Sequence, residues 1–409
     1  MSIMSLREQY KLKDECLKER LDIIVPKVMK ECVCDAWIVA SKEYHEDLVF
    51  DSLTPASYLT ARRITMMVFI KDNEGEVKRF SLSMPDETLG LFYPQYWNFG
   101  KEEQMDALNR LLEEYDPQKI AINISKDHTY ADGLSYGLYE TLKEGLNPKF
   151  VERFMVDELL PIKVMEIRTP KELSLYPELM KTAFSVIEEA FSLKAIEPGK
   201  TTCEDVEFYM MEKVKSLGLD YWFSPTIDIQ REGHDGVIYN SIIEKGDFLH
   251  CDFGIKYLNL CSDTQRLAYV AKDEDEDVPE WFKEGFKINN RFQDIVRECM
   301  KAGKTGNEVL MDSLKKAKEE GINACLYSHP CNIFGHGPGP TIGLWNNQNP
   351  IPIKGDIKVS YDTVYALELN IKFEYNGLTY TAFSEETVSY TKEGVQFLYP
   401  NRDKIYFIK

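Results

Sequence analysis

The chain runs to 409 residues, enough for two ordinary domains, each with a sizeable core. Hydrophobic residues make up 44% and aromatic ones 12%, which excludes a disordered chain. With 68 acidic against 49 basic residues, the net charge of −19 is spread along the whole length and repels nucleic acid and anionic lipid, so neither is expected as a partner.

No apolar run approaches the roughly 20 residues of a membrane span. The first thirty residues carry charge every few positions and lack the apolar stretch of an export signal, so a cytosolic protein is expected. Nine cysteines, without a CxxC pair, read as free thiols.

Taken in chain order, Leu6, Tyr10, Leu17, Leu21 and Ile24 recur at near-helical spacing and predict an amphipathic helix within residues 5–30. Residues 35–41 (DAWIVAS) predict a strand; residues 64–71 and 77–83 predict two more, joined by a turn at Asp72-Asn73-Glu74-Gly75. A helix over 103–115 leads through Asp116-Pro117 to the short strand KIAINIS. Together these describe an α/β unit ending near residue 160. Two prolines and a Thr169-Pro170-Lys171-Glu172 helix start mark the boundary, giving domains 1–165 and 166–409. Beyond it, helices are predicted over 171–193, 203–217, 279–300 and 307–320, interleaved with strands that resume from 358 to the C-terminus.

Four acids stand out among these strands. Glu368 lies in TVYALELNIKF and Glu385 in LTYTAFSEETVSY, and between them Asn376-Gly377 is the strongest short hairpin signal. A two-residue loop there sets Glu368 directly opposite Glu385 on one face of the sheet. In HCDFGIKYLNLCSDTQR, residues 250–266, a four-residue loop Lys256–Asn259 with Asn259 left-handed opposes Asp252 and Asp263 in the same way, on weaker turn chemistry. Like charges set opposite each other destabilise a sheet, and carboxylates among apolar neighbours are costly unless something positive answers them. Two divalent ions between the pairs balance four negative charges. Such ions, about 3.5–4 Å apart, share a water that loses a proton near neutral pH.

A nitrogen ligand is sought among six histidines: His45, His128, His234, His250, His329 and His336. His336, in the glycine-rich FGHGPGPTIGLW, is the most suggestive, because that loop lets backbone approach a ligand closely. The alternative is that it packs beneath the loop. His250 shares the strand face of Asp252 by the period of two, where a buried neutral histidine fits equally well. His329, before Pro330, carries no signal by itself.

HCDFG, SDTQR, GHGPGPTIGL and the acids of ALELN and SEETVSYT, in that order over the last 240 residues or so, resemble the pita-bread metallopeptidases: Xaa-Pro aminopeptidases, prolidases, methionine aminopeptidases and creatinases. The first half resembles the smaller α/β domain that precedes the catalytic domain in the Xaa-Pro aminopeptidase and creatinase branch. The fold so implied is α+β, a C-terminal pita-bread domain behind a creatinase-like N-terminal domain. Asp252, Asp263, Glu368 and Glu385 match the family's four carboxylate ligands, and His234 falls where the family keeps a histidine that touches substrate. The implied reaction is hydrolysis of the first peptide bond of a short peptide, Xaa-Pro foremost, by a metal-bridging hydroxide, with Glu368 also shuttling the proton. Two divalent ions are implied, manganese first and zinc, cobalt or iron as alternatives, together with a homodimer.

The glycine-rich loop departs from the prolidase pattern His-Gly-x-x-His-x-x-Gly. On that register the ligand histidine becomes Pro340 and a further substrate histidine becomes Asn347. The methionine aminopeptidase pattern Gly-His-Gly-x-Gly fits Gly335-His336-Gly337-Pro338-Gly339 and makes His336 the fifth ligand, whereas the downstream TIGL fits the first pattern better. Phe383 stands where proline-specific members commonly carry an arginine. The rival expectations are a metal-free creatinase-like carbon–nitrogen hydrolase, which usually lacks the full carboxylate set, and a non-catalytic binding protein on the same fold.

Overall fold

The computed structural model describes residues 3–400 and 402–409. The chain divides into two compact units, Met4–Lys171 and Glu172–Lys409. The division lies later than the 165/166 boundary read from the sequence, because the backbone after Val164 is tied into the first unit. The Arg20 guanidinium donates to the Ile167 carbonyl at 3.1 Å, and the Lys171 N–H donates to Glu19 Oε2 at 2.9 Å.

The first unit is built on a five-stranded sheet ordered Val77–Leu82, Ile64–Lys71, Ala36–Lys42, Ile120–Ile122, Phe154–Met155. Its first two pairings are antiparallel and its last two parallel. The predicted turn is present: the Gly75 N–H donates to the Asp72 carbonyl, and the Asp72 carboxylate accepts from the N–H groups of Glu74 and Glu76. The opening helix is not continuous. Leu6–Glu19 starts from a Ser5/Glu8 capping box, a π-turn takes Arg20–Ile24, and Val25–Glu31 resumes as α-helix. Pro26 supplies the reason, since it has no N–H to donate and its ring crowds the carbonyl one turn back.

The second unit is organised around a ten-stranded sheet ordered Ala324–Leu326, Thr363–Tyr375, Leu378–Thr391, Thr264–Val270, Phe248–Phe253, Thr226–Gln230, Ile238–Tyr239, with further short strands pairing beside it. The helix Glu280–Cys299 packs Phe282, Phe292, Ile295 and Val296 into a core with Leu367, Leu369, Ile371 and Ala382 from the two long strands. Because side chains alternate along a strand, burying 367, 369 and 371 against the helices sends Glu368 to the opposite face. The loop joining these strands is Asn376-Gly377, both left-handed at φ 52° and 78°, as a two-residue hairpin turn demands.

No helix among the described residues is long and apolar enough to cross a membrane. All nine cysteines are free thiols, most of them buried.

Candidate metal centre

The hairpin Thr363–Thr391 places Glu368 directly opposite Glu385, as its turn requires. The other ribbon differs from expectation by two residues. Its turn is the pair Leu258-Asn259, at φ 56° and 60°, and the resulting register sets Asp252 opposite Gln265 rather than opposite Asp263. Asn259 is left-handed as predicted, but Leu258 shares the conformation without the turn chemistry that flags it in a sequence. A slip of two residues leaves every side chain on its original face, where a slip of one would have turned the acids away. Ladder partners therefore form one row across four strands, Asp252, Gln265, Glu385, Glu368, with Asp263 two residues from Gln265 on that face.

The four carboxylates converge. One oxygen each from Asp252, Glu368 and Glu385 lie within 4.8 Å of one another, and so do ligand atoms of Asp263, His329 and Glu385. Glu385 belongs to both groups. Asp263 and Glu385 are almost wholly buried, at 3% and 1% exposure. Burial, reinforced by the neighbouring acids, pushes Asp263, Glu368 and Glu385 well above the usual carboxylate range. Asp252 is raised to about 6, first by burial, with His250 pulling the other way. Asp252 Oδ1 and Glu385 Oε2 are buried without a hydrogen-bond partner.

The imidazole brought up to these acids is His329, not His336. His329 Nε2 stands 3.4 Å from Asp263 Oδ2, 3.9 Å from Glu368 Oε2 and 4.0 Å from Glu385 Oε1. Its Nδ1 lies 3.1 Å from the Pro330 carbonyl, and the tautomer with the proton on Nδ1 leaves the lone pair on Nε2. Burial first, then His336, lowers its pKa to about 4, so the ring is neutral at pH 7. A lone pair facing carboxylate oxygens is repulsive until a proton or a cation comes between them. His329 owes its position to the short pairing of His329 and Pro330 with Ala366 and Tyr365. His336 packs edge-on against the His329 ring, centroids 4.6 Å apart, and also lines the cavity.

His234 is not brought to the acids. It is exposed in the turn between Thr226–Gln230 and Ile238–Tyr239, flanked by Gly233 and Gly236 in left-handed conformations, and lines no part of the cavity. His250, buried, lies beneath the row, with Nδ1 2.8 Å from Asp228 Oδ2 and Nε2 3.0 Å from Gln265 Oε1. Burial alone depresses the His250 pKa, but the Asp228 carboxylate outweighs this and the balance is upward. Phe383 stacks on His250 at 4.2 Å between ring centroids.

The acids and His329 open on a cavity of about 310 Å³, walled by Trp222, Phe223, Tyr327 and Trp345. The Trp222 indole N–H donates to the Ser262 carbonyl at 2.8 Å. A Cβ on Gly254 would meet that indole at 2.1 Å and one on Gly335 at 2.2 Å, so both glycines make room for it. Sequence reasoning missed these aromatic walls, and those two glycines were the signal that could have flagged a close approach.

Fit to divalent cations follows from the residues themselves. Four acids that cannot all ionise side by side, two orphaned carboxylate oxygens and a neutral nitrogen aimed at them form a hard, oxygen-rich donor set. The class of protein that fold and site define is the metallopeptidases. The model of metallopeptidase family M24 matches residues 178–392, and the chain belongs to that family.

Among curated proteins, it is 28% identical over 209 residues to an uncharacterized peptidase, YqhT, of Bacillus subtilis, a match covering 47% of this chain and about half, 52%, of that relative. Among solved structures, an X-Pro aminopeptidase from Thermotoga maritima superposes at TM-score 0.65, with 17% identity, over 93% of this chain and 99% of the other. An Xaa-Pro dipeptidase from Bacillus anthracis superposes at 0.63, with 19% identity, over 97% and 99%. The N-terminal domain of the FACT complex subunit SPT16 from chickpea shares the fold at 0.55, with 13% identity, over 96% of each chain. The fold is thus the α+β pita-bread architecture behind a smaller N-terminal domain.

Proposed function

We propose that the chain is a two-metal exopeptidase that removes the first residue of short peptides, with Xaa-Pro peptides foremost. The observation that carries this reading is the sharing of Glu385 between two overlapping ligand groups, Asp252–Glu368–Glu385 and Asp263–His329–Glu385, as a carboxylate bridging two ions would require. Bound there, divalent ions supply Lewis acidity and an acidified water. Asp252, Asp263 and Glu385 hold charge in place, His329 offers its Nε2 lone pair, and Glu368 is the acid that moves the proton between water and leaving amine. Trp222, Phe223 and Trp345 line the cavity beside the acids and offer flat faces to a proline ring or another apolar residue. Manganese is the expected metal, with zinc, cobalt or iron as substitutes. A cytosolic homodimer acting on small peptides completes the proposal.

Two features favour a second reading as a binding module: the likeness to a complex subunit, and Pro340 and Asn347 in place of the two loop histidines; Phe383 in place of the arginine bears on the proline preference instead. A metal-free creatinase-like hydrolase is disfavoured by the complete carboxylate set. Elemental analysis after incubation with Mn²⁺, Co²⁺ or Zn²⁺, paired with assays on Xaa-Pro dipeptides and tripeptides for wild type and Asp263→Ala, decides among them. Two ions per chain and activity lost in the variant are expected. No bound ion in wild type would overturn the metallopeptidase mechanism, and two bound ions without activity on any peptide would favour the binding module.

A further inference from the structure

We propose that Asp228, His250 and Gln265 form a buried relay whose task is to position the Glu368 carboxylate, fixing which of its two oxygens faces the cavity. The proposal rests on reading the site as a metal centre. Asp228 and His250 are ladder partners on adjacent strands, and Gln265 projects from the next strand on the same face. Asp228 Oδ2 meets His250 Nδ1 at 2.8 Å, His250 Nε2 meets Gln265 Oε1 at 3.0 Å, and Gln265 Nε2 donates to Glu368 Oε1. The three residues are only 5%, 6% and 3% exposed, and none lines the cavity. They act through Glu368 and are positioning residues.

Each member is oriented by the one before it. The ring of His250 is held in plane by its stack on Phe383 and in rotation by Asp228. In the structure Nε2 of that ring faces the amide oxygen of Gln265, and the amide N–H is turned toward Glu368. With the oxygen and nitrogen exchanged, an acceptor would face the carboxylate and push it away. With Oε1 engaged, Oε2 is left on the side of His329, 3.9 Å from its Nε2. Groups that hold a ligand from behind in this way are worth as much to a site as some ligands, about 10–100-fold in affinity or activity when removed.

A buried polar network can also serve stability alone, and the two roles separate experimentally. His250→Asn keeps an amide N–H within reach of Asp228 while cutting the contact to Gln265; Gln265→Met is near in volume and removes both of its contacts. For wild type, each variant and the pair, Mn²⁺ affinity is measured by calorimetry, kcat and KM on an Xaa-Pro dipeptide, and the urea midpoint of metal-free protein. Asp228→Asn, which retains an acceptor, stands in for a variant that does not fold. A relay gives about 10–100-fold weaker Mn²⁺ binding in each single variant, a fall in kcat with KM little changed, and a double variant no worse than the more damaging single. Unchanged Mn²⁺ affinity, whether or not the urea midpoint moves, overturns the relay, and so do losses that simply add. Wild type that binds no Mn²⁺ overturns the metal reading and the relay with it, whereas wild type that binds while the variants bind equally overturns the relay alone.

Discussion

Glu368 and Glu385 stand directly opposite each other across an antiparallel ladder, each in a strand whose other face is packed against helices. Opposed like charges weaken a sheet, and burial adds to the cost. The pair is tolerable while protons or cations hold the charges apart, and the predictions below follow from that condition.

Metal-free protein is expected to lose stability as pH rises. Asp252, Asp263, Glu368 and Glu385 have folded-state pKa values above those of the unfolded chain, roughly 4. The folded state therefore holds more protons, and stability that is fully present below pH ~4 is lost as pH climbs through the folded values, that of Asp252 lying at about 6. Urea midpoints of chelated protein should fall from pH 5 to pH 8, and added Mn²⁺ should restore the loss at pH 8. A midpoint that rises over this range would contradict the burial of four acids.

His329→Ala is expected to weaken Mn²⁺ binding by more than the ~10–100-fold typical of a supporting group, and His336→Ala by no more than that range, because His329 Nε2 stands 3.4 Å from Asp263 Oδ2 whereas His336 packs edge-on against the His329 ring. Calorimetric titration of the two variants ranks them. The opposite ranking would return the ligand role to His336.

Arg266 grips Glu386 through both nitrogens, at 2.8 and 2.9 Å, with the two side chains 4% and 2% exposed and the guanidinium over the Phe184 ring. Arg266 follows Gln265 and Glu386 follows Glu385, so this pair fixes from behind the two strands that carry Gln265 and Glu385. Arg266→Met removes the ion-pair partner of a buried acid and is expected to cost about 3–5 kcal/mol in urea unfolding. A change under ~1 kcal/mol would mean that the pair does not carry that load.

Gly377→Ala tests the hairpin that opposes the two glutamates. Nothing lies within 4 Å of an added Cβ, so the cost is backbone strain alone at φ +78°, on the order of 1–2 kcal/mol. Metal stoichiometry should stay at the wild-type value, since the flanking ladder extends well beyond the turn. A lower stoichiometry would show that the turn, not the ladder, sets the opposition of the acids.

What was legible in the sequence and what was not follows the range of the interactions. Asn376-Gly377 is a local signal that fixes its own register, so the opposition of Glu368 and Glu385 could be read from a few residues. Leu258-Asn259 adopts the same turn against leucine's preference, and that is why Asp252 was paired two residues away from its true partner. The π-turn ahead of Pro26 was not read from the sequence, although the proline was the local signal for it. His329 was invisible because its role comes from a two-residue pairing with a strand far along the chain. His336 lines the cavity, yet a glycine-rich loop announces proximity and not which imidazole leads.

The indole of Trp222 is pinched between Gly254 and Gly335, one from each of two motif segments that lie far apart in sequence. A single aromatic plate thereby acts as a gauge block for both loops: neither can gain a methyl group without the plate moving, and moving it disturbs the wall beside the acids. The three positions are sterically coupled, so a variant that exchanges the tryptophan for a small side chain relieves the indole's constraint on both glycines at once.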